Sequence, residues 1–270
     1  MNHDEYRSVR AVNWHTLREI DKSPRHARHA MSGGLPDTPA LRFGRAAHVY
    51  LLEHETFADR YAIAPDVDRR TKAGKAEYEQ FTQANAGREI LDREDMATLE
   101  AMWAAVEESS GRSRLLAMPH EVEHVVRWID AATGLECKGR VDWVCPTRGI
   151  LIDLKTTQDA SVESFEQDMA RFGYAEQLAF YADGLTAAGI PIRQTIIIAV
   201  EKSPPFGVAL YSIADDSLDA GRALNRVRLQ IWARCSKTNT WPSYPQHIQT
   251  IGLPAWKLRQ IQALNIQEQP

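Results

Sequence analysis

The sequence lacks most of the features that assign a chain to a functional class at first sight. Its three cysteines, Cys137, Cys145 and Cys235, are an odd number without Cys-x-x-Cys spacing. This argues for reduced thiols in a cytoplasm and against a zinc or iron–sulfur cluster. The GxxxxGK(S/T) spacing is also absent, and the AGK segment at residues 73–75 therefore gives no support for ATP binding.

Two further absences concern membranes and charge. No apolar run approaches the ~20 residues of a membrane-spanning helix, and the first ten residues lack the apolar core of a secretion signal. We therefore expect a cytoplasmic protein that has no membrane contact. The net charge of −4 gives no overall attraction for nucleic acid, although basic groups can still cluster locally.

The composition is that of an ordinary globular protein, with 44% hydrophobic and 25% charged residues. A length of 270 residues allows one large domain or two small ones. No internal repeat, low-complexity segment or proline- and glycine-rich linker divides the chain. We therefore expect a single domain over residues 1–270, with a mainly helical part at about 1–110, a sheet core at about 115–215 and C-terminal helices at about 216–270.

Periodicity and capping residues predict a succession of helices and strands. Helices are expected at 13–30, with a break at Pro24, and at 39–53, where Asp37 or Thr38 is the N-cap. Residues 64–76 are typical of a polar loop, and 76–109 of a helix interrupted near Gly87. We also expect strands within 121–155, 191–203 and 207–213, and helices at 174–188, 215–235 and 254–268. This order predicts an α/β fold with a central mixed β-sheet flanked by helices and an α-helical N-terminal part.

The most informative stretch is GRVDWVCPTRGILIDLKTT at residues 139–157. It contains two short apolar strands joined by a PTRG turn, with one aspartate on each strand. If the strands pair about a turn centred between Thr147 and Arg148, positions that sum to 295 lie opposite each other, and Asp142 and Asp153 satisfy this sum. Their Cβ atoms would then lie about 5 Å apart, where two like charges need a compensating cation.

A third carboxylate and a lysine extend this pair. Residues 121–128 predict a strand that turns at 130–134, and this pairing places Glu123 opposite Asp142. Lys155 shares the face of Asp153 because strand side chains alternate with period two. Oxygen ligands of this kind suit Mg²⁺, with Mn²⁺ as an alternative, better than zinc. A register slip of one residue would send these side chains to the other face.

An Asp-x-Lys sequence alone has an ordinary explanation as a solvated strand edge or a surface ion pair. Here the charges interrupt ILIDLKT, in which Ile150, Ile152 and Leu154 occupy one face while Leu151 flanks Asp153 on the other. A charge inserted into such an apolar strand is unfavourable without partners. The matched register with Asp142 therefore favours a functional site.

This arrangement resembles the PD-(D/E)xK nuclease superfamily, with Asp142 as the first acid, Asp153 as the second and Lys155 as the lysine. Gln177 and Tyr181 share one face of the predicted 174–188 helix, which alone would suit a partly buried boundary. After an Asp-x-Lys strand they resemble the QxxxY motif of the RecB-like branch, whose two residues line the site and help to place the DNA backbone. The resemblance implies a restriction-endonuclease-like core.

His48 lies in GRAAHVYLLE on the predicted 39–53 helix, one turn after Gly44. A single histidine on a helix is usually structural or solvated. The surroundings of His48 resemble the N-terminal helix in which RecB-like nucleases carry a metal-binding histidine, so the resemblance implies a metal ligand. The missing Cβ of Gly44 would let another backbone or a phosphate approach closely.

Basic residues are densest in RRTKAGK, which contains Arg69, Arg70, Lys72 and Lys75. Such a run is most simply a solvated loop, and the functional alternative is a set of DNA phosphate contacts that do not read sequence. Arg140 precedes Asp142 by two residues on the same face, and we expect it to pair with a carboxylate or the scissile phosphate. Lys138 is a candidate for the same role further along the strand.

Taken in order, the N-terminal WxxL and SP segments, GRAAH, RRTKAGK, KGRVD, IDLKTT and QLAFY are similar to exodeoxyribonuclease VIII, the RecE-type exonuclease of phages and prophages. The resemblance covers about residues 12–215. It implies degradation of linear double-stranded DNA from 5′ ends, homo-oligomeric rings that enclose DNA, and a single-strand annealing recombinase as partner.

The resemblance also implies a division of roles within the site. Asp142, Asp153 and the backbone carbonyl of Leu154 would hold one Mg²⁺, with His48 and, as an option, Glu123 completing its ligands. Lys155 would orient or deprotonate the attacking water, and Gln177 and Tyr181 would fix the DNA strand for in-line attack.

Two other hypotheses stay open. One is a RecB-like nuclease that acts on single-stranded or flap DNA, although the CRISPR-associated nucleases of that type carry a cysteine cluster that this chain lacks. The other is a DNA-binding or ring-forming partner of a recombinase that does not cleave. The intact acids and lysine argue against this second hypothesis.

Overall fold

The fold is built on a five-stranded mixed β-sheet with helices packed against both faces. The structure is a computed structural model that describes residues 3–33, 37–109, 111, 115 and 118–267. A short parallel pair joins β1 (Tyr61–Ile63) to β2 (Glu89–Leu91). The main sheet contains, in spatial order, β3 (Glu121–Ile129), β4 (Glu136–Cys145), β5 (Ile150–Thr157), β6 (Gln194–Glu201) and β7 (Val208–Ser212).

Helices form the N-terminal part, the crossover between β5 and β6, and the C-terminal part. The N-terminal helices are α1 (His3–Ser8), α2 (Trp14–Arg18), α3 (Pro24–Met31), α4 (Pro39–Leu52), α5 (Phe57–Arg60), α6 (Lys72–Ala84) and α7 (Arg93–Glu108). The later ones are α8 (Val162–Phe172), α9 (Tyr174–Ala187), α10 (Asp215–Thr238) and α11 (Ala255–Gln267). The expected α/β fold with its central mixed sheet is confirmed. None of the described helices combines the length and apolarity that crossing a membrane requires.

The register of the β3–β4–β5 meander is the one that its two turns predict. Trp143 of β4 pairs with Val122 of β3 and with Ile152 of β5. The preceding residue on β4, Asp142, therefore lies between Glu123 and Asp153. β5 then pairs in parallel with β6 over its whole length, and β7 adds an antiparallel edge.

Alternating side chains of β5 enter two hydrophobic clusters on opposite faces of the sheet. Leu151 packs in a cluster with residues of α2, α9 and α10. Ile152 and Leu154 pack in a second cluster with residues of α4 and α7. Because side chains alternate along a strand, Asp153 and Lys155 share the face of Leu151. The expected alternation is therefore present.

β4 and β5 separate after a short pairing, and the N-terminal chain lies beside the unpaired end of β4. The ladder between these strands ends at the pair of Trp143 and Ile152. At the other end of β4, Val12 forms a parallel bridge with Cys137. Val12 N donates to the Glu136 carbonyl at 2.8 Å, on the edge of β4 that β3 leaves free. We call the gap between residues 139–142 of β4 and residues 153–155 of β5 the fork.

The structure differs from the expected elements mainly in three places, and the short elements α1, α5 and β1 are also unpredicted. α6 begins at Lys72 rather than at residue 76, because the Thr71 side chain caps it by accepting from Gly74 N at 3.0 Å. The single interrupted helix expected over 76–109 is α6, β2 and α7, with a turn at Gly87 whose φ is +95°. α8 lies in a segment for which no helix is predicted. Of the two candidate caps of α4, Thr38 is the one that accepts a hydrogen bond, from Leu41 N.

Candidate active site

Three potential metal ligands from three different elements meet at the fork. His48 lies on α4, Glu123 on β3 and Asp142 on β4, and one ligand atom of each lies within 4.8 Å of the others. His48 Nδ1 is 3.3 Å from Asp142 Oδ2. All three side chains are partly buried, so a cation held between them would keep a solvent-facing side. The structure thus brings together three residues that lie far apart in the sequence.

Glu123 has a backbone conformation that few non-glycine residues adopt. Its φ is +51°, although residues on both sides of it belong to the β3–β4 ladder. Such strain persists where the surroundings impose it and is concentrated at functional sites. Glu123 Oε2 is buried and lies 2.6 Å from Arg140 Nε, which is an ion-pair distance. The expectation that Arg140 pairs with a carboxylate therefore agrees with the structure.

Asp142 is held by a backbone contact across the fork. Its Oδ2 accepts a hydrogen bond from Leu154 N at 2.8 Å, at the position where the β4–β5 ladder has just ended. Burial alone would raise the pKa of Asp142, but His48, Lys155 and this N–H together hold it below its usual value. Asp142 is therefore ionised and fixed relative to β5.

A second set of side chains forms a hydrogen-bonded chain beside the three ligands. Lys155 Nζ lies 2.6 Å from Asp153 Oδ2 and donates to Gln177 Oε1 at 2.9 Å. Gln177 Nε2 in turn donates to the Tyr181 hydroxyl at 3.2 Å. The predicted acid, lysine and QxxxY pair are thus in direct contact, and the lysine is oriented from two sides.

The placement of the Tyr181 ring explains a glycine in the KGRVD segment. A Cβ on Gly139 would lie only 3.0 Å from Tyr181 Cδ1 and 3.4 Å from Val126 Cγ1. α9 starts directly after Gly173, whose φ of +72° ends α8 and turns the chain. This turn brings Gln177 and Tyr181 over the sheet. Glycine is therefore needed at both positions, one for close approach and one for a left-handed turn.

The acids of the site carry more negative charge than their surroundings neutralise. Burial and the charge of Asp142 raise the pKa of Glu123 to about 7, although Arg140 acts in the opposite direction. Burial raises the pKa of Asp153 to about 6, with Lys155 opposing and Asp142 reinforcing the shift. Burial would lower the pKa of His48, but the adjacent Asp142 outweighs it and raises this pKa. An additional positive charge at this place would therefore be stabilised.

The donor set fits a divalent cation. His48 offers a ring nitrogen, and Glu123 and Asp142 offer carboxylate oxygens, a mixture that Mg²⁺ or Mn²⁺ accepts. Glu123 and Asp142 place two carboxylates close together in a partly buried site, so a cation between them would offset their mutual repulsion. Asp153 stands outside this close group, since its Oδ2 faces Lys155. Its role as a ligand, and that of the Leu154 carbonyl, remain predictions.

The predicted basic cluster lies on a separate part of the chain, and its contacts are local. Arg69 stacks over the Tyr78 ring at 4.7 Å, and Arg70 pairs with Asp68 at 2.9 Å. Lys72 and Lys75 are exposed on the first turn of α6. Their contact with DNA remains a prediction. One further expectation is wrong: Lys138 is buried, and its Nζ donates to the carbonyls of Tyr6 and Val9, so it holds the N-terminal chain instead of a phosphate.

Two residues near the site are missing from the sequence-based prediction. His15, at the start of α2, is exposed to solvent and lies close enough to Lys155 and Asp142 of the fork to interact with their charges. Crowding by the surrounding protein atoms, followed by the charges of Lys155 and Arg18, lowers the pKa of His15 below its usual value. The Tyr174 ring lies 4.9 Å from Lys155 Nζ. The position of His15 within the WxxL segment is the available signal in the sequence, but its neighbours at the fork lie far away along the chain.

Among the solved structures is one that shares the fold of this chain. A "putative exonuclease" from Eubacterium rectale shares the fold with a TM-score of 0.63, over 96% of this chain and 97% of its own, at 12% sequence identity. A phage-related exonuclease from Haemophilus somnus 129PT matches 85% of this chain and 96% of its own at 14% identity, with a TM-score of 0.37. No curated protein matches the chain.

The family is defined by a match to a sequence model. The model described as a PDDEXK-like domain of unknown function (DUF3799) matches residues 14–254, which include every residue placed at the site above. The expected resemblance to the PD-(D/E)xK superfamily is confirmed, and the fold and acidic motif are those of a nuclease. The chain therefore belongs to the PDDEXK-like family DUF3799.

Proposed function

We propose that this protein is a Mg²⁺-dependent exonuclease that hydrolyses the phosphodiester bonds of linear double-stranded DNA from 5′ ends. The observation that carries the proposal is the joint placement of two groups at the fork. His48, Glu123 and Asp142 form a cation-binding group, and the Asp153–Lys155 pair lies beside it on the neighbouring strand. A purely structural ion pair would account for Asp153 and Lys155, but it would not account for the three clustered ligand side chains.

The residues divide the chemistry between them. His48, Glu123 and Asp142 would hold the cation, with Asp153 and the Leu154 carbonyl as further ligands. A divalent cation bound there supplies Lewis-acid polarisation of the scissile phosphate and lowers the pKa of the attacking water. Arg140, whose Nε lies 2.6 Å from Glu123 Oε2, limits the repulsion between the acids and the incoming DNA.

Lys155 is the residue best placed to act on the water and the phosphate. Its Nζ is positioned by Asp153 and by Gln177, which leaves it one remaining donor direction. A lysine in this position orients the attacking water and stabilises charge on the phosphorane-like transition state. Gln177, which donates to the Tyr181 hydroxyl, would hold the Lys155 ammonium group in its position at the site. It would also line the path of the DNA strand.

The finer statements on substrate, assembly and location rest on resemblance. The E. rectale protein, which has the same fold, is described as an exonuclease, and this supports action at DNA ends. We further propose a homo-oligomeric ring around DNA, a single-strand annealing recombinase as partner in phage-type recombination, and a cytoplasmic location. Arg69, Arg70, Lys72 and Lys75 would contact DNA phosphates outside the site, without reading sequence.

The test compares DNA forms under one set of conditions. Purified protein with Mg²⁺ is given linear duplex labelled at the 5′ or the 3′ end, with and without a 5′-phosphate, and covalently closed circular duplex. We expect early release of the 5′ label, faster from phosphorylated ends, and an intact circle. Cutting of the circle would contradict exonuclease action, and early loss of the 3′ label would contradict the polarity.

The same assay separates the two alternative hypotheses. Faster cleavage of single-stranded or flap DNA than of blunt duplex would favour the RecB-like alternative. Binding of duplex without cleavage in either Mg²⁺ or Mn²⁺ would favour a non-cleaving partner of a recombinase. Chelation with EDTA serves as the control, because a reaction that survives it does not use the predicted metal ligands.

A further inference from the structure

The C-terminal segment leaves the body with its apolar side chains open to solvent. We call residues 246–264 the C-terminal arm. Within it Ile248 is 100% exposed, Ile251 91%, Trp256 62% and Leu264 60%. The hydrogen bonds that the structure describes there are internal, such as Leu258 N to the Pro254 carbonyl at 3.1 Å. So many adjacent exposed apolar residues mark an interaction surface rather than ordinary scatter.

A groove that is also lined mainly by apolar residues lies between α8, α9 and α10. Its volume is about 270 Å³, and its lining includes Met169, Ala175, Glu176, Ala220, Gly221 and Leu224. The apolar lining continues along α10 to Val227, which is 51% exposed. Ala220, Leu224 and Val227 follow one another at helical spacing and therefore form one stripe. Gly221 lets α10 approach α9 closely at the floor of the groove, since a Cβ there would be 2.9 Å from the Ala175 carbonyl oxygen.

The charges of the two surfaces are opposite. The C-terminal arm carries Lys257 and Arg259 and no acidic residue. Glu176 lines the groove. Two more acids, Glu166 on α8 and Asp216 on α10, are exposed one turn before groove residues on the same helix faces. A basic apolar segment therefore fits this groove better than an acidic one.

We propose that the C-terminal arm of one copy of this protein packs into the α8–α9–α10 groove of a second copy. Leu258, Ile261 and Leu264 lie along one side of α11 and would cover the stripe on α10. Lys257 and Arg259 would face the acidic rim. The inference deepens the proposed ring assembly by naming the surfaces that join its copies.

The arm is connected to the end of α10 that lies away from the groove. The arm follows the end of α10 at Thr238, whereas the groove lies in the first half of that helix. Leu224 and Thr238 are separated by about 21 Å along the axis. In the structure the arm does not cover its own groove. Because arm and groove are different surfaces, their contact is head-to-tail, and repeated contacts close into a ring when the rotation allows it.

The test measures the mass of the full-length protein in solution by light scattering or sedimentation. The arm variant carries Ile251→Asp and Leu258→Asp, and the groove variant carries Leu224→Asp. The control is Ile129→Asp, an equally apolar and exposed position at the end of β3. We expect the wild type and the control to be oligomeric and each of the two variants to be monomeric, with thermal unfolding of all four checking that they fold.

Mixing the two monomeric variants gives the decisive result. One intact arm and one intact groove remain in the mixture, so we expect a complex of two copies and nothing larger. A mixture that stays monomeric would overturn the proposal, and so would variants that assemble like the wild type. A monomeric wild type would overturn the proposal too. Resistance of the arm to proteolysis in such a monomer would indicate that the arm packs into the groove of its own copy. These outcomes do not depend on cleavage, so a failure of the proposed nuclease activity would be seen separately.

Discussion

Asp142 Oδ2 accepts a hydrogen bond from the backbone N–H of Leu154 at 2.8 Å. This bond crosses from β4 to β5 at the first position beyond their ladder. It replaces a strand–strand hydrogen bond with one to a carboxylate, and it therefore ties the acid on β4 to the strand that carries Asp153 and Lys155. The relative position of the two halves of the site is set by the backbone and not by long flexible side chains.

The first prediction concerns the lysine. Lys155→Met keeps the apolar stem but removes the ammonium group between Asp153 and Gln177. We expect the cleavage rate to fall about 10²–10⁴-fold, the range for loss of a group that assists proton transfer. Metal affinity, measured by calorimetry, should not weaken, because a positive charge near the ligands has been removed. Lys237→Met, at an exposed position near the end of α10, is the matched control and should cleave at the wild-type rate.

The second prediction concerns the histidine. His48→Ala removes the only nitrogen donor of the proposed cation group, so the dissociation constant for Mg²⁺ and for Mn²⁺ should rise by at least about 10-fold. His29→Ala on α3, which is exposed, serves as the control. An unchanged dissociation constant in His48→Ala, with lost cleavage, would show that His48 acts on the substrate and not on the metal.

The third prediction follows from the pKa values of the acids. Glu123 has a pKa of about 7 and Asp153 of about 6, both raised mainly by burial. A cation binds their ionised forms, so metal binding should release protons between pH 5.5 and 7 and few above pH 8. Calorimetry in two buffers of different ionisation enthalpy measures this release. Metal affinity that is constant from pH 5.5 to pH 8 would contradict the assigned ligands.

The same shifts predict how the metal-free protein responds to pH. Both carboxyls ionise near pH 4 in the unfolded chain but keep their protons to pH 6 or 7 in the folded protein. The folded state therefore binds more protons in this window, and the free energy of unfolding should decrease as the pH rises through it. Added Mg²⁺ should reverse the decrease, because it binds the folded state alone. Chemical unfolding at several pH values, with and without Mg²⁺, measures both effects.

Much of the site could be predicted from sequence because its strands are joined by short turns. The PTRG turn and the turn at 130–134 fix the register, and that register determines which residues lie beside Asp142. Gln177 and Tyr181 could be paired because residues four positions apart on a helix lie on the same face. Each of these inferences needs only local geometry.

The rest depends on contacts between distant parts of the chain. Val12 occupies the edge of β4 beside Cys137, and no local sequence pattern near either residue predicts that bridge. The position of His15 near the fork and the binding of Lys138 to the N-terminal carbonyls also depend on contacts between distant segments. β1 and β2 have three residues each, too few for a period-two pattern. Thr71 is a good N-cap residue and could predict the start of α6, but the polar composition of residues 64–76 favours a loop.

The fourth prediction concerns a packing position outside the chemistry. Gly139→Ala places a methyl group about 3.0 Å from the Tyr181 ring, which must then shift. We expect a loss of about 1–3 kcal/mol in the free energy of unfolding, typical of overpacking, and slower cleavage because Gln177 loses its partner. Gly134→Ala would not be a fair control because its φ is positive. Gly252→Ala, where a Cβ meets nothing within 4 Å, should be neutral.

The most direct test of the metal site is the cleavage rate of linear duplex by Asp142→Asn in Mg²⁺. The asparagine side chain can still accept the hydrogen bond from Leu154 N, so the fold and the fork should be retained, as the melting temperature will show. What is lost is the negative charge at the centre of the cation group. We expect the rate to fall by at least about 10²-fold together with Mg²⁺ binding. Cleavage at the wild-type rate would contradict a metal-dependent nuclease site at this fork.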